Sequence, residues 1–283
     1  MPKLYIVSTP IGNLSDMTYR AVDTLRSVSR ILAEDTRRTG ILLKHYAIDT
    51  PMISAHEHNE AARSAQIVAW LANGEDLAIV SDAGTPLLSD PGARIVQAVL
   101  AAGFDVVPIP GASAVLAALV AGGLEPEPFT FFGFLPRSGK ERKQKLAELR
   151  DLAHTAVLYE APGRVGKLLA DLVAICGRDR RAVVARELTK LHETFVRGTL
   201  QELASYYEDE AVRGEVVVLL AGAAPPAPAD AEAAAHTAAQ ELITAGHSPR
   251  DVAREITRRF NLSRNRAYEI AHAVKGAKEE LAE

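Results

Sequence analysis

Four short stretches of this chain place glycine, proline and hydroxyl or carboxyl side chains where a ligand would meet backbone. They are STPIGNLSD (Ser8–Asp16), EDTRRT (Glu34–Thr39), SDAGTPLLSDPG (Ser81–Gly92) and IPGASA (Ile109–Ala114). The third is the richest. It follows DLAIV (Asp76–Val80), which reads as a buried strand, and precedes ARIVQAVLAAG, which reads as a helix stopping at Gly103. Such a loop lies at the carboxyl end of a strand, where open α/β sheets bind small ligands. A plainer reading, a well-capped turn, fits its composition equally well. No G-x-G-x-x-G follows the first strand and no G-x-x-x-x-G-K-[ST] occurs, so a Rossmann dinucleotide site and a P-loop are both disfavoured. RSGKERKQK (Arg137–Lys145) reads as a basic, exposed loop opening a helix. Its Arg137, Lys140, Arg142 and Lys143 are candidates for RNA-backbone contact. His56 and His58, in SAHEH, share one strand face and resemble a metal pair. No third ligand is signalled, so no metal is expected.

The elements that position these loops alternate. Strands are expected at Leu4–Val7, Arg30–Glu34, Pro51–Ser54, Asp76–Val80 and Asp105–Ile109, with helices between them. That order predicts a mostly parallel sheet covered on both faces. GGLEPEPF (Gly122–Phe129) breaks the pattern, and a first α/β domain is placed at residues 1–121. A second α/β domain, 122–222, has a mixed sheet, with ELTKLHETF (Glu187–Phe195) bending between two strands. Residues 223–235, AAPPAPADAEAAA, read as a linker because small residues and prolines leave little to pack. Residues 236–283 form three short helices resembling a helix-turn-helix unit, with Ser248-Pro249 as a start signal and Val252, Ile256 and Phe260 as an apolar stripe.

Composition fits a globular protein: 283 residues, 48% hydrophobic and 24% charged, with a net charge of −4. A nucleic-acid partner must therefore be met by local patches. From His236 to Lys275 there are seven Arg or Lys against four Asp or Glu, a net +3. Arg264 and Arg266 occupy the first turn of the last helix, where a recognition helix meets nucleic acid; a solvated basic face is the equal alternative. The single Cys176 excludes an internal disulfide, and no secretion signal or 18-residue apolar run is visible, so a cytoplasmic location is expected.

Seven ordered motifs, STPIGNLSD, AEDTRRT, SDAGTPLLSDPG, PIPGASA, FFGFLPR, YEAPGRV and ARELTKLHE, together resemble the ribosomal RNA small subunit methyltransferase I family of the tetrapyrrole methylase-like superfamily. The likeness runs from about Lys3 to Ala221, and the helical tail fits that family's C-terminal extension. The resemblance implies two α/β domains around an interdomain cleft holding S-adenosylmethionine. It also implies methylation of a cytidine ribose 2′-hydroxyl in the 16S rRNA decoding centre, by a homodimer. Cofactor contacts carried over by the motifs are Pro10, Ala83, Gly84, Thr85, Leu88, Ser113, Ala114, Glu160 and Leu188. Relatives that methylate tetrapyrroles carry aspartate where Thr85 stands, and Asp82 is expected to compensate. The hydroxyl is a poor nucleophile and gains from a general base. Asp35 is the first candidate and Lys190, if burial depresses its pKa, the second; Arg37 is placed to hold a phosphate, or else to pair with Glu34 or Asp35. The alternatives are a tetrapyrrole or other small-molecule methylase, or a ligand-sensing DNA-binding regulator. The basic tail and basic loop favour RNA.

Overall fold

The computed structural model describes residues 1–55, 60–208, 212–224, 228–260 and 262–280. His56 and His58 lie outside them. The chain divides into two compact units, Met1–Gly222 and Ala223–Glu283.

The first unit holds two five-stranded sheets. The first contains β1 (Lys3–Val7), β2 (Arg30–Ala33), β3 (Met52–Ser54), β4 (Leu77–Val80) and β5 (Asp105–Ile109). All neighbours are parallel, in the order β3-β2-β4-β1-β5. The connecting helices are α1 (Tyr19–Ser27), α2 (Thr36–His45), α3 (Glu60–Ala72) and α4 (Ala93–Ala101). Period-2 alternation sends the residues of one strand into two different cores. On β4, Ala78 and Val80 enter one apolar cluster while Leu77 and Ile79 enter another across the sheet. Both faces are covered, which is why β4 reads as an unbroken apolar run.

The chain crosses to the second sheet through α5 (Ala114–Gly122) and residues 123–128. The second sheet comprises β6 (Phe129–Phe134), β7 (Thr155–Glu160), β8 (Arg181–Arg186), β9 (Thr194–Thr199) and β10 (Val216–Leu220), in the order β6-β7-β10-β8-β9. Only β6 and β7 run parallel; the other neighbours are antiparallel, so the sheet is mixed. α6 (Gly139–Asp151), α7 (Val165–Cys176) and α8 (Leu200–Tyr206) accompany it. The central β10 is buried throughout. Val216, Val218 and Leu220 face the core under α7, and Val217 and Leu219 face α5. α5 is thus the joint between the sheets. A Cβ on Gly122 would lie 2.3 Å from Leu219 Cδ1, and Arg197 donates to the carbonyls of Gly122 (2.9 Å) and Ala121 (2.6 Å).

The second unit contains α9 (Pro228–Thr244), α10 (Pro249–Phe260) and α11 (Arg264–Glu280). The expected linker over 223–235 is therefore too long, because α9 begins at Pro228. Its Ala235, Ala238 and Ala239 are buried against Val252, Ile256 and Ile270. Alanines at this spacing let helices approach closely, and two of the three helices run to 17 residues.

Candidate active site

The loops at the carboxyl ends of β1, β2, β4 and β5 are fastened to one another. Thr9 and Gly84 exchange both backbone hydrogen bonds, at 2.8 and 3.1 Å. Gly84 has φ +81°, which a side chain resists, and a Cβ there would meet Ile11 Cγ2 at 3.2 Å. The Ser8 and Thr85 hydroxyls are 3.1 Å apart, and Thr85 donates to the Ala112 carbonyl at 3.4 Å. Thr85 therefore links three loops. Asp82 does the same for β2: one oxygen accepts the Asp35 amide (3.1 Å) and the other pairs with Arg38 (3.3 Å). Glu60, buried in α3, accepts the amides of Gly92, Arg94 and Ile95 and so caps α4 in place of the absent side chain of Gly92. Leu87 and Ser89, between these anchors, hold left-handed φ values of 74° and 69°. Strain of this kind in non-glycine residues persists only where surroundings impose it, and it collects at functional sites.

Beneath these loops lies a cavity of about 430 Å³, within the usual range for small-molecule sites. Asp82, Ala83, Gly84, Thr85, Leu88, Ser113, Ala114, Glu160 and Leu188 all line it. The first sheet supplies one wall, and the start of β10 with the end of β7 supplies the other. Ile11, Glu34, Arg38, Asp90, Phe134 and the stretch from Gly214 to Val217 line it too, and sequence reasoning did not name them as site residues. Tyr159 also lines the cavity.

Four expected site residues do not stand on this wall. Pro10 is buried beside it, and its neighbour Ile11 takes the lining position. Asp35 is the N-cap of α2, accepting the Arg37 amide at 2.9 Å. Arg37 grips the same carboxylate through Nε (3.1 Å) and Nη2 (2.7 Å). Those bonds hold Asp35 far below the usual carboxylate range, which makes it a poor proton acceptor. The Arg37 side chain is 89% exposed and engaged with Asp35, so the salt-bridge reading of Arg37 is the one observed. Lys190 lies between Glu187 (2.8 Å) and Glu215 (3.2 Å). Partial burial lowers its pKa, but the two carboxylates outweigh it and leave the ammonium above its ordinary range. It is not a base.

The cavity wall is acidic: Glu34, Asp82, Asp90, Glu160 and Glu215 face one cation, Arg38. Burial, then repulsion from Asp90 and Asp82, raises the Glu34 pKa against one hydrogen bond from the Asp82 amide and the attraction of Arg38. Burial likewise raises Asp90, opposed by the Ser81 hydroxyl and reinforced by Asp82. The Glu160 side chain is completely buried. Its Oε1 accepts the Ala161 amide (2.8 Å) and pairs with Arg164 (3.1 Å), while Oε2 has no partner.

The tetrapyrrole (corrin/porphyrin) methylase model matches residues 3–204. The chain belongs to the tetrapyrrole methylase family, in its ribosomal RNA small subunit methyltransferase I branch. It is 44% identical over 269 residues to "Ribosomal RNA small subunit methyltransferase I" of Synechocystis, covering 95% of this chain and 96% of that one. The Bacillus subtilis protein of the same name is 49% identical over 219 residues, 77% of this chain and 75% of that one. Among solved structures, cobalt precorrin-4 methyltransferase superposes with a TM-score of 0.60 at 19% identity, over 77% of this chain and 94% of that one. A uroporphyrin-III C-methyltransferase from Thermus thermophilus, complexed with S-adenosylhomocysteine, gives a TM-score of 0.57 at 19% identity, over 77% and 97%. At that identity both speak for the fold alone.

The methyl donor of this family is S-adenosylmethionine, and the cavity suits it. Its sulfonium and ammonium are cationic, which matches a wall of five carboxylates and one guanidinium. At α5, Ser113 caps the helix through the Leu116 amide at 3.5 Å, and the first-turn amides stand at the cavity, where a carboxylate is favoured. Among the described residues, no group of three or more His, Cys, Asp or Glu is arranged to hold a metal ion.

The expected RNA-contact residues divide. Arg137, Lys140 and Lys143 are exposed. Arg142 is not: its side chain is 7% exposed, bonded twice to Asp171 Oδ2 (3.2 and 2.8 Å) and once to the Pro136 carbonyl (3.0 Å). It is an anchor of the loop, not a contact. In the second unit Arg264 is exposed, whereas Arg266 is held by Glu232 (2.7 Å) and Glu269 (2.7 Å). Arg266 is itself exposed, so these surface ion pairs leave its guanidinium within reach of solvent.

Proposed function

We propose that this chain transfers a methyl group from S-adenosylmethionine to the ribose 2′-hydroxyl of a cytidine in small-subunit rRNA. As a member of its family it is an S-adenosylmethionine-dependent methyltransferase. The observation that carries the reading is the acidic cavity, in a chain whose relatives are named for small-subunit rRNA methylation. Bound there, the donor supplies an already activated methyl group, so the protein's part is mainly positioning. Asp82, Thr85 and the α5 N-terminus keep the rim loops in register, and Glu160 and Leu188 close the opposite wall. Arg137, Lys140 and Lys143, exposed and without a carboxylate partner among the described residues, are suited to RNA phosphates.

We further infer a homodimer. α5 carries no charged residue, yet Leu116 is 55% and Val120 81% exposed. A helix apolar on all sides calls for cover on all sides. A cytoplasmic location fits the substrate and the single free cysteine. No described helix is long and apolar enough to cross a membrane.

The test is methyl incorporation from labelled S-adenosylmethionine into small ribosomal subunits, free 16S rRNA and duplex DNA, with mapping of the modified nucleotide. Ribose methylation of a cytidine in the subunit or its RNA supports the reading. Binding of the donor with no transfer to either overturns it.

A further inference from the structure

We propose that the Phe134 ring, at the mouth of the cavity, is the platform on which the base of the methylated nucleotide stacks; this rests on the reaction inferred above. The placement comes from an irregularity in the second sheet. β6 and β7 pair in parallel, Phe131 opposite Val157, and the register then shifts so that Gly133 meets Leu158 and Phe134 meets Tyr159. Phe132 is the extra residue of a β-bulge. Strict alternation would send Phe134 to the face of Phe132, which packs into the core under α7. The bulge returns it to the face of Phe131, Val157 and Tyr159, toward α5 and the cavity. Bulges are rare in parallel pairs and gather beside active sites, where they re-aim a side chain. Gly133 permits this one, with φ +62°, and a Cβ on it would lie 3.0 Å from Ser89 Oγ. The end of β6 thus abuts the SDAGTPLLSDPG loop.

Tyr159 supports the Phe134 ring at 5.5 Å between centroids and is itself braced edge-on by Phe131 at 4.9 Å. Of the large apolar residues lining the cavity, Ile11, Leu188, Val216 and Val217 are buried, whereas Leu88 and Phe134 are 48% and 54% exposed and so mark its mouth. Leu88 belongs to the loop read as a donor contact; Phe134 comes from the other sheet. A ribose that presents its 2′-hydroxyl to a methyl group in the cavity carries its base on the adjacent carbon, which puts that base at the mouth. A half-exposed aromatic there offers a face for stacking, the usual way proteins hold an unpaired base. The chain beyond the ring is anchored, because the Leu135 and Pro136 carbonyls accept bonds from Arg164 (2.9 Å) and Arg142 (3.0 Å). The exposed Arg137 follows three residues after Phe134, at most about 11 Å of extended chain away. A cation for the RNA backbone therefore stands beside the platform for the base, the pairing that single-strand binding uses.

The experiment compares full-length wild type with Phe134→Ala, Phe134→Leu, Phe134→Trp and Phe129→Ala. Phe134→Leu keeps an apolar side chain and loses the aromatic face. Phe129, exposed at the other end of β6 and away from the cavity lining, is the control. Methyl transfer from labelled S-adenosylmethionine to small ribosomal subunits gives kcat and KM, and calorimetry gives S-adenosylhomocysteine affinity. Phe134→Ala should lower kcat/KM for the subunits by about 5- to 150-fold, the range for losing one base–aromatic stack, with S-adenosylhomocysteine affinity changed no more than a few-fold. Phe134→Leu should fall most of the way with it, and Phe134→Trp and Phe129→Ala should stay close to wild type. A readout independent of turnover is tryptophan fluorescence. The chain has one tryptophan, Trp70, so the signal added in Phe134→Trp reports on position 134. 16S rRNA should quench that added signal, and S-adenosylhomocysteine alone should leave it nearly unchanged. The proposal is overturned if Phe134→Ala keeps the wild-type kcat/KM, or if Phe134→Leu does, since any apolar side chain then serves. It is also overturned if S-adenosylhomocysteine affinity falls as far as kcat/KM, or if that ligand alone quenches the added signal, because the ring then stacks on the donor's adenine. If wild type transfers no methyl to rRNA, the reaction inferred above has failed; if wild type transfers it and Phe134→Ala does so equally well, this proposal alone has failed.

Discussion

Replacing Arg142 with Met separates a structural arginine from an RNA-contacting one. Arg142 sits in the most basic stretch of the first unit, but its guanidinium is buried and makes three hydrogen bonds, two to Asp171 and one to the Pro136 carbonyl. Removing one partner of a buried ion pair typically costs about 3–5 kcal/mol, because the other charge is left uncompensated. Here Asp171 is 27% exposed and keeps Lys167 at 3.5 Å, which places the cost at the low end, about 3 kcal/mol. For a unit of 222 residues, each kcal/mol moves Tm by about 2–4 °C, so thermal melting should shift by about 6–12 °C. Below the new melting point, RNA affinity should keep its salt dependence. Lys143→Ala, by contrast, should leave Tm within about 1 °C and reduce the salt slope by up to about 0.9, the value for one released counterion. The assays are melting by circular dichroism and RNA affinity across a salt series. A Tm loss under about 2 °C together with a reduced slope in Arg142→Met would refute the burial argument.

Three further outcomes follow from the same structure. Leu116→Glu with Val120→Glu places two charges on the exposed face of α5 and should convert a dimer to monomers in light scattering, with far-ultraviolet circular dichroism unchanged; a monomeric wild type would dispose of the dimer. Glu34 and Asp90 both have raised folded pKa values, so each destabilises the fold as pH rises above the unfolded carboxylate value. Glu34→Gln should therefore raise Tm at neutral pH and lose that advantage as pH falls below the unfolded value; an advantage equal at both ends would contradict the linkage. Thr85→Val deletes the hydroxyl that joins Ser8 to the Ala112 carbonyl and should cost about 1 kcal/mol in chemical denaturation, with weaker S-adenosylmethionine binding in calorimetry.

Much of the fold was legible because burial on both faces leaves a strong trace. DLAIV could hardly be anything but a central strand, and the break at Gly122–Phe129 marks where the chain leaves one sheet for the other. The misreadings have physical causes. The stretch ADAEAAA looks like linker because alanine carries little hydrophobic weight, yet alanine is what allows α9 to pack closely on α10 and α11. Arg142 looks like part of a basic surface, but it shares one helical face with Leu146 and Leu149, both buried, and that i, i+4, i+7 spacing was readable. Of the neighbouring carboxylates Glu34 and Asp35, sequence favours the second by likeness. Where β2 ends and α2 begins sets their surroundings apart: Asp35 turns back to cap the helix, and Glu34 lines the cavity. The residues of β10 that line the cavity could not be assigned without the strand order, because only β10's place between β7 and β8 brings its first residues there.

The SDAGTPLLSDPG loop acquires its meaning from what holds it. Its left-handed residues, Leu87 and Ser89, are matched by a second such pair in the turn after β8, Glu187 and Thr189, with φ values of 54° and 67°. Four such non-glycine residues cost about 1–3 kcal/mol each, and loops free to relax would not keep them. They are kept because each loop is tied at several points. Glu60 and the Thr9–Gly84 bridge hold the first. The second is held by Glu187 accepting the Glu215 amide (3.0 Å) and by Thr189 accepting the Asn13 amide (3.1 Å). α5 locks the two sheets together through Gly122 and Arg197. A cavity whose rims are strained and whose walls share a buried joint is organised before any ligand arrives. For a reaction in which the methyl group is already activated, that preorganisation is the main contribution the protein makes.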